Sequence, residues 1–381
     1  MNALKKQYGV EEIWSYSRFS TFCEHPWMYR IQYIERKRTG NNIFSHFGSI
    51  AHDTIQDHID GKYPYDEMID VFREKVDDWR NDKQGIYFVS KKSEQNFIAS
   101  MEHYFQNTTI PNYKIRNEMV VKYVTKYAKT GNPLVFIGYV DSIYQDENGI
   151  THLVDYKTST DTGFSGKSLD DKSKQLLLYA MAVSQMSKGK IPLDKINLRF
   201  DMMKYVHVKF KQKDKINSKG EITQEGKWSK PSRKMRTEWI AKSENNIRKA
   251  FNWCCPDIDM FEVDELIQEA IEQESMDNLP KEVRDRFVVE NCYIDVPVSE
   301  DKAKSLDQLL ADKCQECEER KQLEGDLDDI WPEPEIDASN QFFYEQLSGA
   351  LQYHKAYQER KKLYSSSEEL TEDDIDLLFD L

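Results

Sequence analysis

Residues 138–157 read GYVDSIYQDENGITHLVDYK, and this stretch predicts two strands joined by a tight turn. The apolar run Leu134–Tyr144 has the composition of a strand, and residues 150–157 have the composition of a second one. Between them, Asp146-Glu147-Asn148-Gly149 contains the residue types that hairpin turns require. We therefore expect an antiparallel pair at the centre of the fold.

Three charged residues converge on one face of this predicted pair. Side chains alternate between the two faces of a strand, so Asp155 and Lys157 share a face and Tyr156 points the other way. Asp141 lies on the neighbouring strand and can reach the same face. Two carboxylates beside one lysine repel each other in an interior, and a divalent cation would remove that repulsion.

Four short motifs that include these residues resemble those of a known nuclease family. They are a helical histidine after a glycine, a GxxD strand, a DxK strand and a QxxxY helix. In this chain they are Gly48…His52, Gly138…Asp141, Asp155-Tyr156-Lys157 and Gln175…Tyr179. In this order, the motifs resemble the RecB-like branch of the PD-(D/E)XK nuclease superfamily, which includes the AddAB and RecBCD nuclease domains and the CRISPR adaptation nucleases. The resemblance covers roughly residues 14–182.

The resemblance implies a fold and a set of catalytic residues. The implied fold class is α/β, with a central mixed β-sheet flanked by helices in a restriction-endonuclease-like core. Asp141, Asp155 and Lys157 would be catalytic. Asp141 and Asp155 would ligand Mg²⁺ or Mn²⁺, with His52 and the Tyr156 carbonyl completing the shell, and Lys157 would stabilise the transition state.

DNA contacts are expected from two further regions. The resemblance implies that the helical face of Gln175 and Tyr179 points at the DNA backbone, although Tyr179 is also compatible with an ordinary helix core. Residues 204–250 hold 14 Lys and Arg against 5 Asp and Glu, which suits a groove that follows phosphates. A solvated hairpin would look similar. The candidates there surround Trp228, and they are Lys227, Lys230, Arg233, Lys234 and Arg236.

The net charge of −14 is distributed unevenly along the 381 residues. Residues 256–381 hold 36 Asp and Glu against 12 Lys and Arg, whereas residues 1–255 hold 31 against 41. This asymmetry predicts a basic nuclease core in 1–255, an acidic and mostly helical region in 256–363 that completes or caps the core, and a flexible acidic tail in 364–381. Well-solvated acidic helices are the simpler alternative.

Outside the central pair, the patterns predict mainly helices. We expect them from Tyr16 to Tyr33 with mostly buried aromatics, from Phe47 to Ile59, at residues 66–82 and 91–106, and from Gln175 to Met186. Residues 161–174 are predicted to be a loop, and further strands are predicted at Ile115–Tyr127 and Ile196–Val208.

The six cysteines raise the question of an iron–sulfur cluster, because several RecB-like nucleases hold one on four cysteines. Cys23 could be the first ligand and Cys314 and Cys317 a pair, but the surroundings of that pair are atypical and a fourth is missing. We expect the cluster to be absent. So few cysteines suit a reduced cytoplasm, and no apolar run is long enough for a membrane span.

The last residues resemble a recruitment peptide. Ile375, Leu377, Leu378 and Phe379 follow a polar spacer and stand among acidic residues, like the short peptides that dock on sliding clamps. A frayed terminal helix is the alternative.

Together these features predict a metal-dependent DNA nuclease, with an exonuclease favoured, acting in replication, recombination or repair. The small size and acidic tail are typical of a phage or mobile element, which would place the protein in the host cytoplasm. No P-loop is present, so strands would be separated by another protein. The rival is a nuclease-fold accessory protein that binds DNA or a replication or transcription partner, through its tail, without cutting.

Overall fold

A computed structural model describes residues 2–40, 42–82, 86–219 and 221–365 of the chain. The predicted recruitment residues Ile375, Leu377, Leu378 and Phe379 lie outside these described residues. No helix in these ranges is both long and apolar enough to cross a lipid bilayer.

Helices account for most of the regular structure in the described ranges. In chain order they are α1 (Asn2–Tyr8), α2 (Tyr16–Glu24), α3 (Pro26–Tyr29), α4 (Ile43–Ile59), α5 (Met68–Asn81), α6 (Lys91–Asn107), α7 (Gly166–Met186), α8 (Glu244–Cys254), α9 (Met260–Glu272), α10 (Lys281–Arg284), α11 (Glu300–Lys321), α12 (Leu327–Ile330) and α13 (Lys355–Ser365). Side chains cap several of them: Ser15 accepts the Arg18 N–H before α2, and Asn42 accepts the Ser45 N–H before α4.

The strands are β1 (Arg116–Lys126), β2 (Pro133–Gln145), β3 (Thr151–Lys157), β4 (Ile196–Phe210), β5 (Lys215–Ile216), β6 (Ile222–Gln224), β7 (Ser232–Met235) and β8 (Phe287–Pro297). Six of them form one sheet in the order β1-β2-β3-β4-β7, with β8 also paired to β4, and β5 pairs with β6 in a separate hairpin. Strands β3 and β4 are parallel and the other pairs are antiparallel. The predicted fold class, a central mixed sheet flanked by helices, is confirmed.

Strand β4 is the axis of the sheet because it has partners along both edges. Its first part pairs with β3 as far as Met202, and its later part pairs with β7 from Tyr205 onward. Strand β8 pairs with β4 over both parts, so β3 and β7 follow one another on one edge and β8 lies on the other. The two faces of the sheet carry separate cores, one including α7 and α11 and the other including α4, α5 and α6.

Two helices begin earlier than the sequence predicted. Helix α7 begins at Gly166, because residues 166–174 form polar and largely exposed first turns of the helix where the composition predicted a loop. Helix α4 begins at Ile43, earlier than expected. The acidic region is mostly helical, as expected, and its strand β8 enters the central sheet, which extends across the predicted boundary at residue 255.

Ion pairs explain how an acidic strand fits beside β4. Asp295 receives two hydrogen bonds from the Arg199 guanidinium, at 2.7 and 2.9 Å, and Glu290 lies 2.7 Å from Lys209. Elsewhere, Glu319 from the acidic region lies 2.7 Å from Lys129. Part of the charge asymmetry along the sequence is thus neutralised within the fold, although exposed pairs of this kind contribute little to stability.

Candidate active site

The candidate active site lies where strands β2 and β3 separate. Their antiparallel ladder ends at the pair Ser142–Val154. The next residues in register are Asp141 and Asp155, so the two carboxylates face each other across a fork. One Asp141 oxygen, Oδ2, accepts the Tyr156 backbone N–H at 3.0 Å, which satisfies a donor that the diverging strands leave without a partner in the ladder.

Electrostatics at this fork follow from burial and like charge. Burial and the neighbouring Asp155 carboxylate raise the pKa of Asp141 to about 6. The Lys157 ammonium lies 2.5 Å from Asp155 Oδ2. Burial disfavours the charged lysine, but the Asp155 and Asp141 carboxylates outweigh it and raise the pKa of Lys157. Asp155 Oδ2 is buried, and among the described residues it accepts no hydrogen bond of good geometry. The lysine therefore balances the charge of the Asp155 carboxylate but leaves this oxygen without a well-formed hydrogen bond.

Helix α4 brings His52 to the same fork. The His52 Nε2–H donates to the Tyr156 carbonyl oxygen at 2.7 Å. The other ring nitrogen, Nδ1, lies 3.6 Å from Asp141 Oδ2. The histidine therefore contacts two of the groups with which it was predicted to share a metal ion.

Helix α7 covers β2 through a contact between two motif residues. The Tyr179 ring lies so close to Gly138 that a Cβ built on this glycine would stand 2.3 Å from Tyr179 Cε1. Tyr179 is buried, and its hydroxyl accepts a hydrogen bond from the Gln175 amide at 3.0 Å. The glycine is thus needed for a close approach, and the predicted DNA-facing tyrosine lies in the core of the protein.

Comparison with known proteins bears directly on these motifs. A family model described as the PD-(D/E)XK nuclease superfamily matches residues 13–322, which is most of the chain. The chain belongs to the PD-(D/E)XK nuclease superfamily. No curated protein gave a significant match. Enzymes of the PD-(D/E)XK superfamily generally use divalent metals such as Mg²⁺, and a nuclease domain of this kind implies DNA binding.

Sequence reasoning missed a polar network behind the PD-(D/E)XK motif residues. Gln56 lies one helical turn after His52 on α4, is buried, and donates its amide to the Glu118 carboxylate at 3.1 Å and to the Asp141 carbonyl at 3.4 Å. Glu118 lies opposite Asp141 in the β1–β2 register and adopts a left-handed φ of 47°. Such strained backbone is typical of functional sites.

The network continues to the far face of β3. The Asn117 amide donates to the Gln56 carbonyl at 3.2 Å, and the Ser142 hydroxyl donates to Asn117 Oδ1 at 2.7 Å. Ser142 Oγ also lies 3.1 Å from the Tyr156 hydroxyl. Hydrogen bonds therefore join α4, β1, β2 and β3, the elements around the fork. No sequence motif indicates these bonds, because the two partners in each are at least 14 residues apart in the chain.

The predicted basic groove is only partly a surface feature. Lys227 and Lys230 are exposed, as is Trp228 beside them. Arg233 is half-buried and lies 3.4 Å from Asp161, and the Lys234 ammonium donates to the Lys242 carbonyl and to Ser243, at 2.7 Å each. These two side chains already have partners within the fold.

Arg236 was expected to contact DNA, and this expectation is wrong. Its side chain is buried, with 1 % of its surface exposed. Its guanidinium donates to the Met203 carbonyl at 2.8 Å and to Asn291 Oδ1 at 3.2 Å, and it lies 4.9 Å from the centre of the Tyr104 ring. The arginine joins β4 to β8 inside the protein, a position that the basic composition of the segment conceals.

The cysteines considered for a cluster have different environments. Cys314 and Cys317 are buried in α11, which packs against α2, whereas Cys23 on α2 is exposed. Burial raises the pKa of the Cys317 thiol to about 12. Across the described ranges, no three His, Cys, Asp or Glu side chains are already arranged as a metal site. The expected absence of a cluster stays a prediction.

Proposed function

We propose that this PD-(D/E)XK protein is a DNA nuclease of the RecB-like branch that hydrolyses phosphodiester bonds with Mg²⁺ or Mn²⁺. The observation that carries the proposal is the fork, where Asp141, Asp155 and Lys157 meet beside His52. A buried carboxyl group whose pKa is raised by burial and by a neighbouring carboxylate, beside a charged lysine, is typical of catalytic sites. An exonuclease is favoured over an endonuclease.

The side chains and the carbonyl at the fork are of the types that ligand a hard divalent cation. Asp141 and Asp155 supply carboxylate oxygens, Tyr156 supplies a carbonyl and His52 supplies an imidazole. Binding would require local rearrangement, because His52 donates to the Tyr156 carbonyl and Lys157 lies against Asp155. Buried Asp155 Oδ2, which lacks a well-formed hydrogen bond within the described residues, is the atom that gains most from a new partner.

The side chains at the fork would then have distinct roles. When bound, a divalent ion supplies acidification of a water molecule and polarisation of a phosphate oxygen. Lys157, which the two carboxylates keep protonated, would donate to the charge that develops on the phosphate in the transition state. Asp141 and Asp155 would hold the ion, and His52 would fix the orientation of the Tyr156 carbonyl or take part in the ligand set itself.

The wider role is proposed from the composition of the chain and from its tail. The protein would act in DNA replication, recombination or repair, in the cytoplasm of a host cell if a phage or mobile element encodes it. Residues 375–379 would recruit it to a sliding clamp. Deletion of residues 372–381 should abolish retention on clamp-coated beads while cleavage of naked DNA continues unchanged, and loss of cleavage would refute this role for the tail.

The experiment that tests the proposal is cleavage of end-labelled single- and double-stranded DNA with Mg²⁺, with Mn²⁺ and with EDTA. Asp155→Asn and Lys157→Ala should each lower the rate by at least ~10²-fold, the scale for losing a contact made in the transition state. Asp194→Asn and Lys195→Ala are matched controls, because both residues are exposed at the opposite end of β4 from the fork. Equal rates in all four variants would refute the site.

The same assay distinguishes the rival function. A nuclease-fold protein that binds without cutting would retain DNA under every condition and release no labelled product. The observation that favours this rival is that the fork is not arranged as a ready metal site in the described structure. Metal-dependent product that disappears in Asp155→Asn would exclude it.

A further inference from the structure

A groove of about 310 Å³ lies between α6, β4 and Met235 of β7, outside the fork. Two lysines, Lys92 and Lys204, line it together with the polar side chains of Ser93 and Asn96 and the ring of Phe97. Lys92 is exposed at the rim and Lys204 is half-buried. A groove with two cations and several hydrogen-bonding groups has the chemistry of an anion site.

Lys204 is the unusual member of this groove. Its ammonium lies 4.2 Å from the centre of the Phe97 ring, and burial lowers the pKa of Lys204 to about 8. In the described part of the chain, neither Lys204 nor Lys92 forms an ion pair with a carboxylate. A cation that is mostly withdrawn from water, with an aromatic ring as its partner, costs folding free energy that a bound anion would offset.

The groove lies close to the end of the catalytic strand. Strand β3 pairs with β4 as far as Lys157–Met202, and β7 pairs with β4 from Tyr205. Lys204 therefore lies on β4 between the part that pairs with β3 and the part that pairs with β7. It is two residues beyond Met202, which pairs with Lys157. From the spacing of residues and strands, the backbones at 157 and 204 are roughly 8 Å apart.

Packed side chains also connect the groove to the fork. The Phe97 and Phe47 ring centres are 5.3 Å apart, and Gly48, the next residue on α4, lies against Thr158, which follows Lys157. The groove opens on the face of the sheet that α4, α5 and α6 cover, because Lys204 contacts Phe97. Asp155 and Lys157 point to the other face, so a DNA strand bound at both sites would pass around the end of β3.

We propose that this groove binds a phosphate of the DNA backbone, with Lys204 and Lys92 as its cationic groups. The proposal rests on the proposed nuclease function for the identity of its ligand. Lysine acts on phosphate as a point charge and makes no base-specific contact, so the groove would hold the strand in register without selecting its sequence. It replaces the buried Arg236 in the set of residues expected to contact DNA.

Binding of a fluorescent oligonucleotide in EDTA, over a range of salt concentrations, tests the proposal. Lys204→Met should weaken binding about tenfold at low salt, since a hydrogen bond to a charged group is lost. The slope of log K against log[salt] should become shallower by about 0.7 to 0.9, the value for one phosphate contact. Lys195→Met, at the opposite end of β4, should change neither quantity. Unchanged affinity and slope in Lys204→Met would overturn the proposal.

A second measurement uses the unaltered protein, so that a folding defect cannot obscure the result. With its lowered pKa, Lys204 should react with an amine-selective reagent at pH 8 faster than Lys195, as followed by mass spectrometry. Micromolar DNA should protect Lys204, whereas inorganic phosphate at the same concentration should not. Equal labelling of Lys204 with and without DNA, or equal protection by inorganic phosphate, would contradict a site for backbone phosphate.

Cleavage assays separate this inference from the proposed function. If the protein cuts DNA while Lys204→Met binds it normally, the groove assignment fails and the nuclease assignment stands. If the unaltered protein binds DNA through Lys204 but never cuts it, the groove assignment stands and the nuclease assignment fails.

Discussion

The ring of Tyr179 occupies the space that a Cβ on Gly138 would need, with Tyr179 Cε1 only 2.3 Å from that position. The two residues belong to different motifs, GxxD and QxxxY, which lie about forty residues apart in the sequence. Their contact fixes α7 on β2 three residues before Asp141. The motifs are thus coupled by packing as well as by any shared chemistry.

This contact predicts that Gly138→Ala destabilises the protein by about 1–3 kcal/mol, the range for overpacking a core. The cost should shrink in a Tyr179→Ala background, because the atoms that clash are then gone, and urea unfolding of the double-mutant cycle measures the coupling. Gly48→Ala is the matched control. Its new Cβ would meet Thr158 Oγ1 at an ordinary 3.6 Å, and alanine is the better helix former, so stability should stay equal or rise.

The raised pKa of Asp141 predicts a pH-dependent stability in the presence of EDTA. A carboxyl group whose pKa is about 6 when folded, against an ordinary 3.8, stabilises the protein below pH 3.8 and loses this contribution as the pH rises through 6. Asp141→Asn should therefore raise the free energy of unfolding by about 1–3 kcal/mol at pH 7.5 and by much less near pH 4.

Urea unfolding at the two pH values checks this expectation, with Asp194→Asn as the control. Asp194 is exposed, so its substitution should have little effect at either pH. If Asp141→Asn raised the free energy of unfolding more at pH 4 than at pH 7.5, the electrostatic description of the fork would be contradicted.

Gln56 should support catalysis without contacting substrate. Gln56→Leu removes the amide that donates to Glu118 and to the Asp141 carbonyl, so we expect a 10–100-fold fall in kcat, the scale for losing a group that positions an active-site residue. Affinity for DNA in EDTA should not change. Gln268→Leu is the control, since Gln268 also donates to a glutamate, Glu272, but on the exposed face of α9. A fall in affinity with kcat intact would argue for a direct contact with DNA instead.

Substitution at two basic positions should separate structure from binding. Arg236→Ala removes the guanidinium that donates to the Met203 carbonyl and to Asn291 inside the protein, and should cost about 3 kcal/mol or more of stability. Lys230→Ala, on the exposed side of the same segment, should change stability by less than about 0.5 kcal/mol and should weaken DNA binding in a salt-dependent way. Thermal unfolding measures the effect on stability, and anisotropy titrations measure the effect on DNA binding. If Arg236→Ala instead weakened DNA binding and left stability unchanged, Arg236 would again be assigned as a DNA contact.

The central strands and the order of the motifs could be predicted because their signals are local. Residues 134–157 carry two segments of strand composition, a turn and two short motifs within one hairpin, and the observed β2 and β3 follow these signals closely. Strand β8 escaped prediction because Glu290 and Asp295 interrupt its apolar pattern. Their charges are balanced by Lys209 and Arg199 on β4, which lie at least 80 residues away in the sequence.

The residues that support the site could not be predicted from the sequence either, because their partners also lie far away in the chain. A buried glutamine such as Gln56 looks like any helical glutamine, and Glu118 like any charged residue on a strand. Their roles depend on the β1–β2 register and on the position of α4, which no local pattern gives. Arg236 shows the opposite error, in which a function was predicted for a residue that is structural. Its segment is basic throughout, and nothing in the sequence indicates that this one side chain is buried.

The pairing of β8 with β4 has a consequence for how the chain is made. A ribosome completes β4 at Phe210 and must extend the polypeptide to Pro297 before the second edge of β4 can find its partner. During that interval a central strand exposes unpaired backbone groups, a condition that favours contacts with other chains. Chains released by a premature stop near residue 255 would keep this edge open permanently, so they should accumulate as aggregates or be degraded, and they should not persist as a smaller nuclease.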